Sequence, residues 1–223
     1  MKTTYLVTLF TIVILLSSGC VSKEKTTNTK TDTSIDMPTT INEKTLTVGE
    51  NLIVGTGIEI GVLSVDTGIV PRGTDAIPKQ VFLSLTKDGN TLDKMILENG
   101  ENYNYGNILE FKIEDIYSTD TSDGATVKNI IYRQNGDAPL KTPKLLTTGE
   151  TVELGKGFTM SIDQIYRESP RKALITISES GVKKDEKTVV PGEIYNYDNR
   201  ITVGIGKIFS GPTIDIITLD IAK

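Results

Sequence analysis

Residues 44–223 are one pattern written twice. Lys44-Thr-Leu-Thr-Val-Gly-Glu50, followed by Val54-Gly55-Thr56-Gly57, returns as Lys144-Leu-Leu-Thr-Thr-Gly-Glu150, followed by Leu154-Gly155-Lys156-Gly157, each matched position 100 residues later. Gly100-Glu101-Asn102-Tyr103-Asn104-Tyr105 returns as Gly192-Glu193-Ile194-Tyr195-Asn196-Tyr197 at an offset of 92, and Gly89 pairs with Gly181 at the same offset. The step from 100 to 92 marks an eight-residue insertion in the first copy, around Thr67 to Ile77, with Pro71, Gly73 and Pro78. Each copy must therefore complete a fold within roughly 85 residues, a length that suits a small β-domain.

Both copies read as β throughout. Apolar residues cluster or alternate over Leu52–Val54, Ile58–Val65, Val81–Leu85, Met95–Leu97, Ile108–Ile116 and Val127–Tyr132 in the first copy. The second copy repeats this over Phe158–Ile165, Ala173–Ile177, Lys187–Val190, Ile201–Ile208 and Ile214–Ile221. A period of two puts Phe111, Ile113 and Asp115 on one face and Glu110, Lys112 and Glu114 on the other. Gly, Asn, Asp and Pro punctuate the runs, and Asp88-Gly89 is a hairpin signal. The expected fold is all-β: two tandem antiparallel β-sandwiches, immunoglobulin-like or small and barrel-like, of about six or seven strands each.

The N-terminus reads as an address. Lys2 gives a positive start, Leu6 to Leu16 is an apolar run of roughly 11 residues, and Ser17-Ser18-Gly19-Cys20 closes it with small residues. The run is well short of the ~20 residues a bilayer-spanning helix needs. Val21 to Glu43 is rich in Thr, Lys, Asn, Ser and Asp and too polar to bury a core, so it reads as a disordered tether spanning roughly 25–30 Å. The resulting division is a signal peptide at 1–19, Cys20 and tether at 20–43, the first sandwich at 44–134, a linker at 135–143 and the second sandwich at 144–223.

Composition removes most chemistries. The chain has no His and one Cys, which excludes Ser-His-Asp and Cys-His catalysis, His- or Cys-ligated zinc, copper or haem, and any internal disulfide. Its net charge of -5 and the lack of a basic cluster speak against nucleic acid. No cofactor and no metal is expected, and the chain reads as a non-enzyme. The loop Asp120-Thr121-Ser122-Asp123-Gly124 is too poor in acidic positions for an EF-hand and reads as a solvated turn. Tyr103, Tyr105, Tyr195 and Tyr197 are the candidate ligand contacts, weighed against a structural role in which Gly makes a turn, Glu faces water and the tyrosines cap a strand.

Two resemblances bear on function. Cys20 directly after Ser-Ser-Gly resembles the lipobox of prokaryotic lipoproteins, with Ser17 where the family has leucine; this implies lipidation of Cys20 and attachment to the outer face of the cell membrane. Leu146-Thr-Thr-Gly-Glu150, Leu154-Gly-Lys-Gly-Phe158 with Ile162-Asp163, Leu83-Ser-Leu-Thr-Lys-Asp-Gly89, and Ile208-Phe-Ser-Gly211 with Asp215-Ile-Ile217 resemble the sandwich module of the S-layer duplication-domain proteins of methanogenic archaea. The resemblance spans residues 44–223 and implies β-sandwiches in a cell-surface lattice. Those proteins also carry a Trp-containing sandwich and a transmembrane anchor, and this chain has no Trp. The expectation is a non-catalytic surface lipoprotein, structural or accessory in the envelope or S-layer, with the membrane and possible envelope proteins as partners. The alternative is a solute-binding or adhesion lipoprotein using the loops of its β-domains.

Overall fold

A computed structural model describes residues 39–68, 77–139 and 143–221, all of them in strands, turns or connections. Repeat 1 runs through β1 (Thr39–Thr47), β2 (Asn51–Ile53), β3 (Ile58–Asp66), β4 (Gln80–Lys87), β5 (Asn90–Glu98), β6 (Asn102–Tyr105), β7 (Leu109–Ser118) and β8 (Asp123–Tyr132). Repeat 2 runs through β9 (Lys144–Thr147), β10 (Thr151–Gly155), β11 (Phe158–Tyr166), β12 (Lys172–Glu179), β13 (Val182–Val189), β14 (Ile194–Tyr197), β15 (Ile201–Ser210) and β16 (Asp215–Ile221). Each repeat is a sandwich of two four-stranded antiparallel sheets. The sheet orders are β1-β8-β7-β6 and β2-β3-β4-β5 in repeat 1, and β9-β16-β15-β14 and β10-β11-β12-β13 in repeat 2. The strand order is the same in both, which is the structural form of the sequence duplication. The 67–79 connection between β3 and β4 is eight residues longer than the 167–171 connection between β11 and β12, as the change of offset requires.

Alternation builds the cores. In β12, Ala173, Ile175 and Ile177 are buried while Leu174, Thr176 and Ser178 stay half-exposed, the pattern of a sheet covered on one face. Ile60, Leu83, Leu109, Ile113 and Val127 centre the first core, and Phe158, Ile175, Val203, Ile208 and Leu219 the second.

Each repeat has eight strands among the described residues, against the expected six or seven, and two further details depart from the sequence expectation. Strand β1 begins at Thr39, inside the stretch read as tether, because Thr39, Thr40 and Ile41 pair with Tyr132, Ile131 and Ile130, and Ile41 packs on the first core. Asp115 faces water, and Ile116 takes the core position, because the pairing of β7 with β8 slips between Ile113 and Asp115; a bulge adds one residue and resets the period. At the start of the linker the Asn107 N–H donates to the Asp137 carbonyl at 2.9 Å.

A third apolar cluster joins the two repeats. It contains Phe82 and Ile96 from β4 and β5, with Phe209 and Ile216 from β15 and β16, and Leu145 and Ile214 pack on it. The Phe82 and Phe209 rings lie 5.9 Å apart and tilted by 45°, an arrangement that adds to simple area burial. Gln80 to Leu85 of β4 are all buried, and the joint explains the burial of Phe82 on the strand's outer side. Val81, Leu83 and Leu85 face the first core, and Phe82 faces repeat 2. Gly211 permits the close approach, since a Cβ there would collide with the Ser64 hydroxyl of repeat 1 and with the Phe209 ring.

Candidate functional site

The repeated motifs can be followed to their atoms. In each Gly-Glu pair the glycine holds a turn at positive φ, with Gly49 at 89°, Gly100 at 82°, Gly149 at 86° and Gly192 at 82°, a region costly for residues with a Cβ. The glutamate then folds back on the turn. The backbone N–H groups of Thr47, Glu98, Thr147 and Val190 donate to the carboxylates of Glu50, Glu101, Glu150 and Glu193 at 2.7, 2.8, 3.2 and 3.1 Å. Four turns thus share one device. The Thr47 N–H holds the Glu50 carboxyl below the usual carboxylate range, and hydrogen bonding from Thr147 does the same for Glu150. At Glu193 the hydrogen bond from Lys187 is the main cause of the lowering.

The first tyrosine of the Gly-Glu-x-Tyr-Asn-Tyr motif closes the sandwich. Tyr103 on β6 belongs to one sheet of repeat 1, and Asp93 on β5 to the other. The Tyr103 hydroxyl donates to the Asp93 carboxylate at 2.6 Å, and Tyr195 on β14 donates to Asp185 on β13 at 2.6 Å. Each pair therefore latches two opposing sheets across one open side. Burial, and then the neighbouring carboxylate, push both hydroxyls well above the ordinary phenol range. Burial likewise raises Asp93, partly offset by the Tyr103 hydrogen bond. The second tyrosine of each motif points to the same interior. Tyr105 is buried in the first core, and Tyr197 packs at the rim of the second, 5.8 Å from the Phe158 ring. Tyr103 is half-buried, 5.0 Å from the Phe111 ring, and Tyr195 is only 2% exposed. The structure brings each tyrosine together with its own core; Tyr103 and Tyr105 lie in repeat 1, and Tyr195 and Tyr197 in repeat 2. Sequence reasoning missed Asp93 and Asp185, although they stand at the same offset of 92 as the tyrosines they hold.

The joint carries the charged groups that link the repeats. Arg171 of repeat 2 donates to the Asp66 carboxylate of repeat 1 at 2.5 Å and to the Pro78 carbonyl at 3.1 Å, and its side chain is only 4% exposed. Lys207 of repeat 2 donates to the Ile96 carbonyl at 2.9 Å and pairs with Glu101. Beside the joint lies an open cleft of about 570 Å³, lined by Thr47, Val48, Leu63, Asp120, Asp123 and Pro212 among others. Val48 and Leu63 are 44% and 39% exposed. The Asp120–Gly124 loop folds on itself through Thr119, whose hydroxyl donates to the Ser122 carbonyl at 2.9 Å and accepts from the Ser122 N–H at 3.0 Å. Among the described residues no group of three or more His, Cys, Asp or Glu is placed to hold a metal ion, and no helix is long and apolar enough to cross a membrane. Cys20 and the signal read before it lie outside the described residues.

No protein-family model and no curated protein matches this chain, so sequence and geometry carry the functional reading.

Proposed function

We propose that this chain is a non-catalytic cell-surface lipoprotein, a structural or accessory component of the cell envelope in the manner of the S-layer proteins whose module its sequence resembles. One observation carries the reading. The polar groups that both repeats share, the four turn glutamates and the two Tyr–Asp latches, all bind the fold's own backbone or join its two sheets. What duplication has kept is a means of holding sandwiches together. The charge–apolar–small order ending at Cys20 supports export and attachment through a lipid on that thiol. The partners proposed are the membrane and other envelope proteins.

Fractionation of native cells tests this. Under the proposal the protein stays with the membrane in wild type, moves to the soluble fraction in Cys20→Ala, and co-sediments with the insoluble envelope after mild detergent. A wild-type protein that is soluble without detergent would sink the lipoprotein reading. A second reading, solute binding or adhesion, rests on the cleft with Val48 and Leu63 at its surface. It predicts a ligand whose binding is lost in Leu63→Asp.

A further inference from the structure

We infer that the joint is a docking surface made for one module of this type, and that the corresponding faces at both ends of the two-module block have been closed to docking. The joint is heterologous: the β2–β5 sheet of repeat 1 meets the β15–β16 face of repeat 2. Two unlike faces in contact leave one copy of each face unused at the ends, and such an arrangement grows into filaments unless something stops it. Because these strands follow the same order and pair in the same register at the constant offset of 92, the unused faces can be read position by position.

At the free end of repeat 2, Leu174 and Thr188 stand where repeat 1 has Phe82 and Ile96; both pairs are direct strand partners in their sheets. The ring and one apolar branch are gone. Asp163 stands on this outer face, accepting from the Thr176 hydroxyl at 2.6 Å. The edge strand β13 is nearly all exposed and carries Lys183, Lys184, Glu186 and Lys187, the kind of charged edge that discourages strand pairing.

At the free end of repeat 1, Tyr117 and Gly124 stand where repeat 2 has Phe209 and Ile216, again as direct partners. Gly124 has no room for a Cβ, which would collide with the Leu46 carbonyl and with the Tyr117 side chain lying over it; the Tyr117 hydroxyl donates to that carbonyl at 3.4 Å. The knob that Ile216 makes in the joint is replaced by a ring folded flat on its own sheet. Lys112 and Glu114 stand where repeat 2 has Gly204 and Gly206. Lys128 bridges Glu114 at 3.2 Å and Glu43 at 3.4 Å across this face, so docking there would strip water from a ladder of charges. Asp115 replaces Lys207, which removes the cation that the joint uses to reach Glu101 and the Ile96 carbonyl. This inference does not depend on where the chain resides.

The test uses the full-length chain in mild non-ionic detergent, with a protease site inserted between Pro139 and Pro143. Sedimentation velocity is run before and after cleavage. The intact chain is expected to sediment as one species over a hundredfold range of concentration, and the cleaved halves to remain a one-to-one complex at micromolar concentration. Phe82→Asp should separate the cleaved halves. Lys207→Glu, which leaves the apolar centre untouched and so carries the test if Phe82→Asp fails to fold, should weaken their association tenfold or more. Concentration-dependent multimers of the intact chain would overturn the closed-end inference. Cleaved wild-type halves that separate at micromolar concentration, or a Lys207→Glu affinity equal to wild type, would overturn the docking surface.

Discussion

Removing one hydroxyl from each latch isolates what the tyrosines do. Tyr103→Phe and Tyr195→Phe keep the ring and open no cavity, so the change is confined to the 2.6 Å hydrogen bonds to Asp93 and Asp185. A hydrogen bond to a charged group contributes about 1.5–3 kcal/mol. Both carboxylates sit on edge strands and are half-buried, so water can reach them and partly replace the lost donor. A cost of about 1.5 kcal/mol per variant is the resulting expectation. The assay is urea denaturation at pH 7, in which the midpoint should fall while the slope stays constant, since the surface exposed on unfolding is unchanged. The pH dependence supplies a second readout with a fixed sign. Both hydroxyls titrate higher in the fold than in the unfolded chain. Their contribution is therefore complete below the unfolded phenol value of about 10 and is lost as pH rises through the folded values. Each Phe variant should lack its share of that alkaline loss. Variants as stable as wild type, with the same alkaline limb, would refute the latch.

The turn glutamates act at the other end of the pH scale. Glu50 and Glu150 titrate lower in the fold, so their stabilisation is present above the ordinary carboxylate range and lost as pH falls through their lowered values; Glu50→Gln/Glu150→Gln should flatten that acid limb in a thermal-melt series. Asp66→Asn leaves the buried Arg171 guanidinium without its anion, and should cost about 3 kcal/mol in chemical denaturation with little relief from added salt. Gly211→Ala places a methyl against the Phe209 ring and Ser64, and should cost about 1–3 kcal/mol, whereas Ser64→Gly/Gly211→Ala should recover part of it. A Gly211→Ala protein with an unchanged melting temperature would show that the joint is looser than its contacts imply.

How much of this was legible in the sequence depends on what each residue answers to. The duplication, the β class and the insertion are local patterns, and the two constant offsets carried them into the fold with matching strand orders. Strand β13 was seen only at its end, because Val182-Lys-Lys-Asp-Glu-Lys-Thr-Val189 is an exposed edge whose strand character comes from pairing with β12 and not from its side chains. Asp115 was assigned to the inner face because a period of two does not reveal a bulge. The latches escaped notice because they join residues ten apart in separate sheets. The joint was hidden for a different reason: the repeats were compared for what they share, while its signal lies in mismatches such as Phe82 with Leu174 and Phe209 with Tyr117.

The pairing of β1 with β8 also fixes how the molecule would bear a pull. Tension applied between the N-terminal side of Thr39 and repeat 2 enters at Thr39 and leaves at Tyr132, and those two residues face each other in the ladder. The load therefore crosses one end of a sheet and opens its hydrogen bonds one after another, instead of shearing the whole strand at once. The interior of repeat 1 hangs outside that line of force. Arg171, Lys207 and the Phe82–Phe209 contact offer a parallel route into repeat 2. Load reaches that seam only after crossing the β1–β8 ladder, so under such a pull β1 would peel away before the seam between the modules is tested.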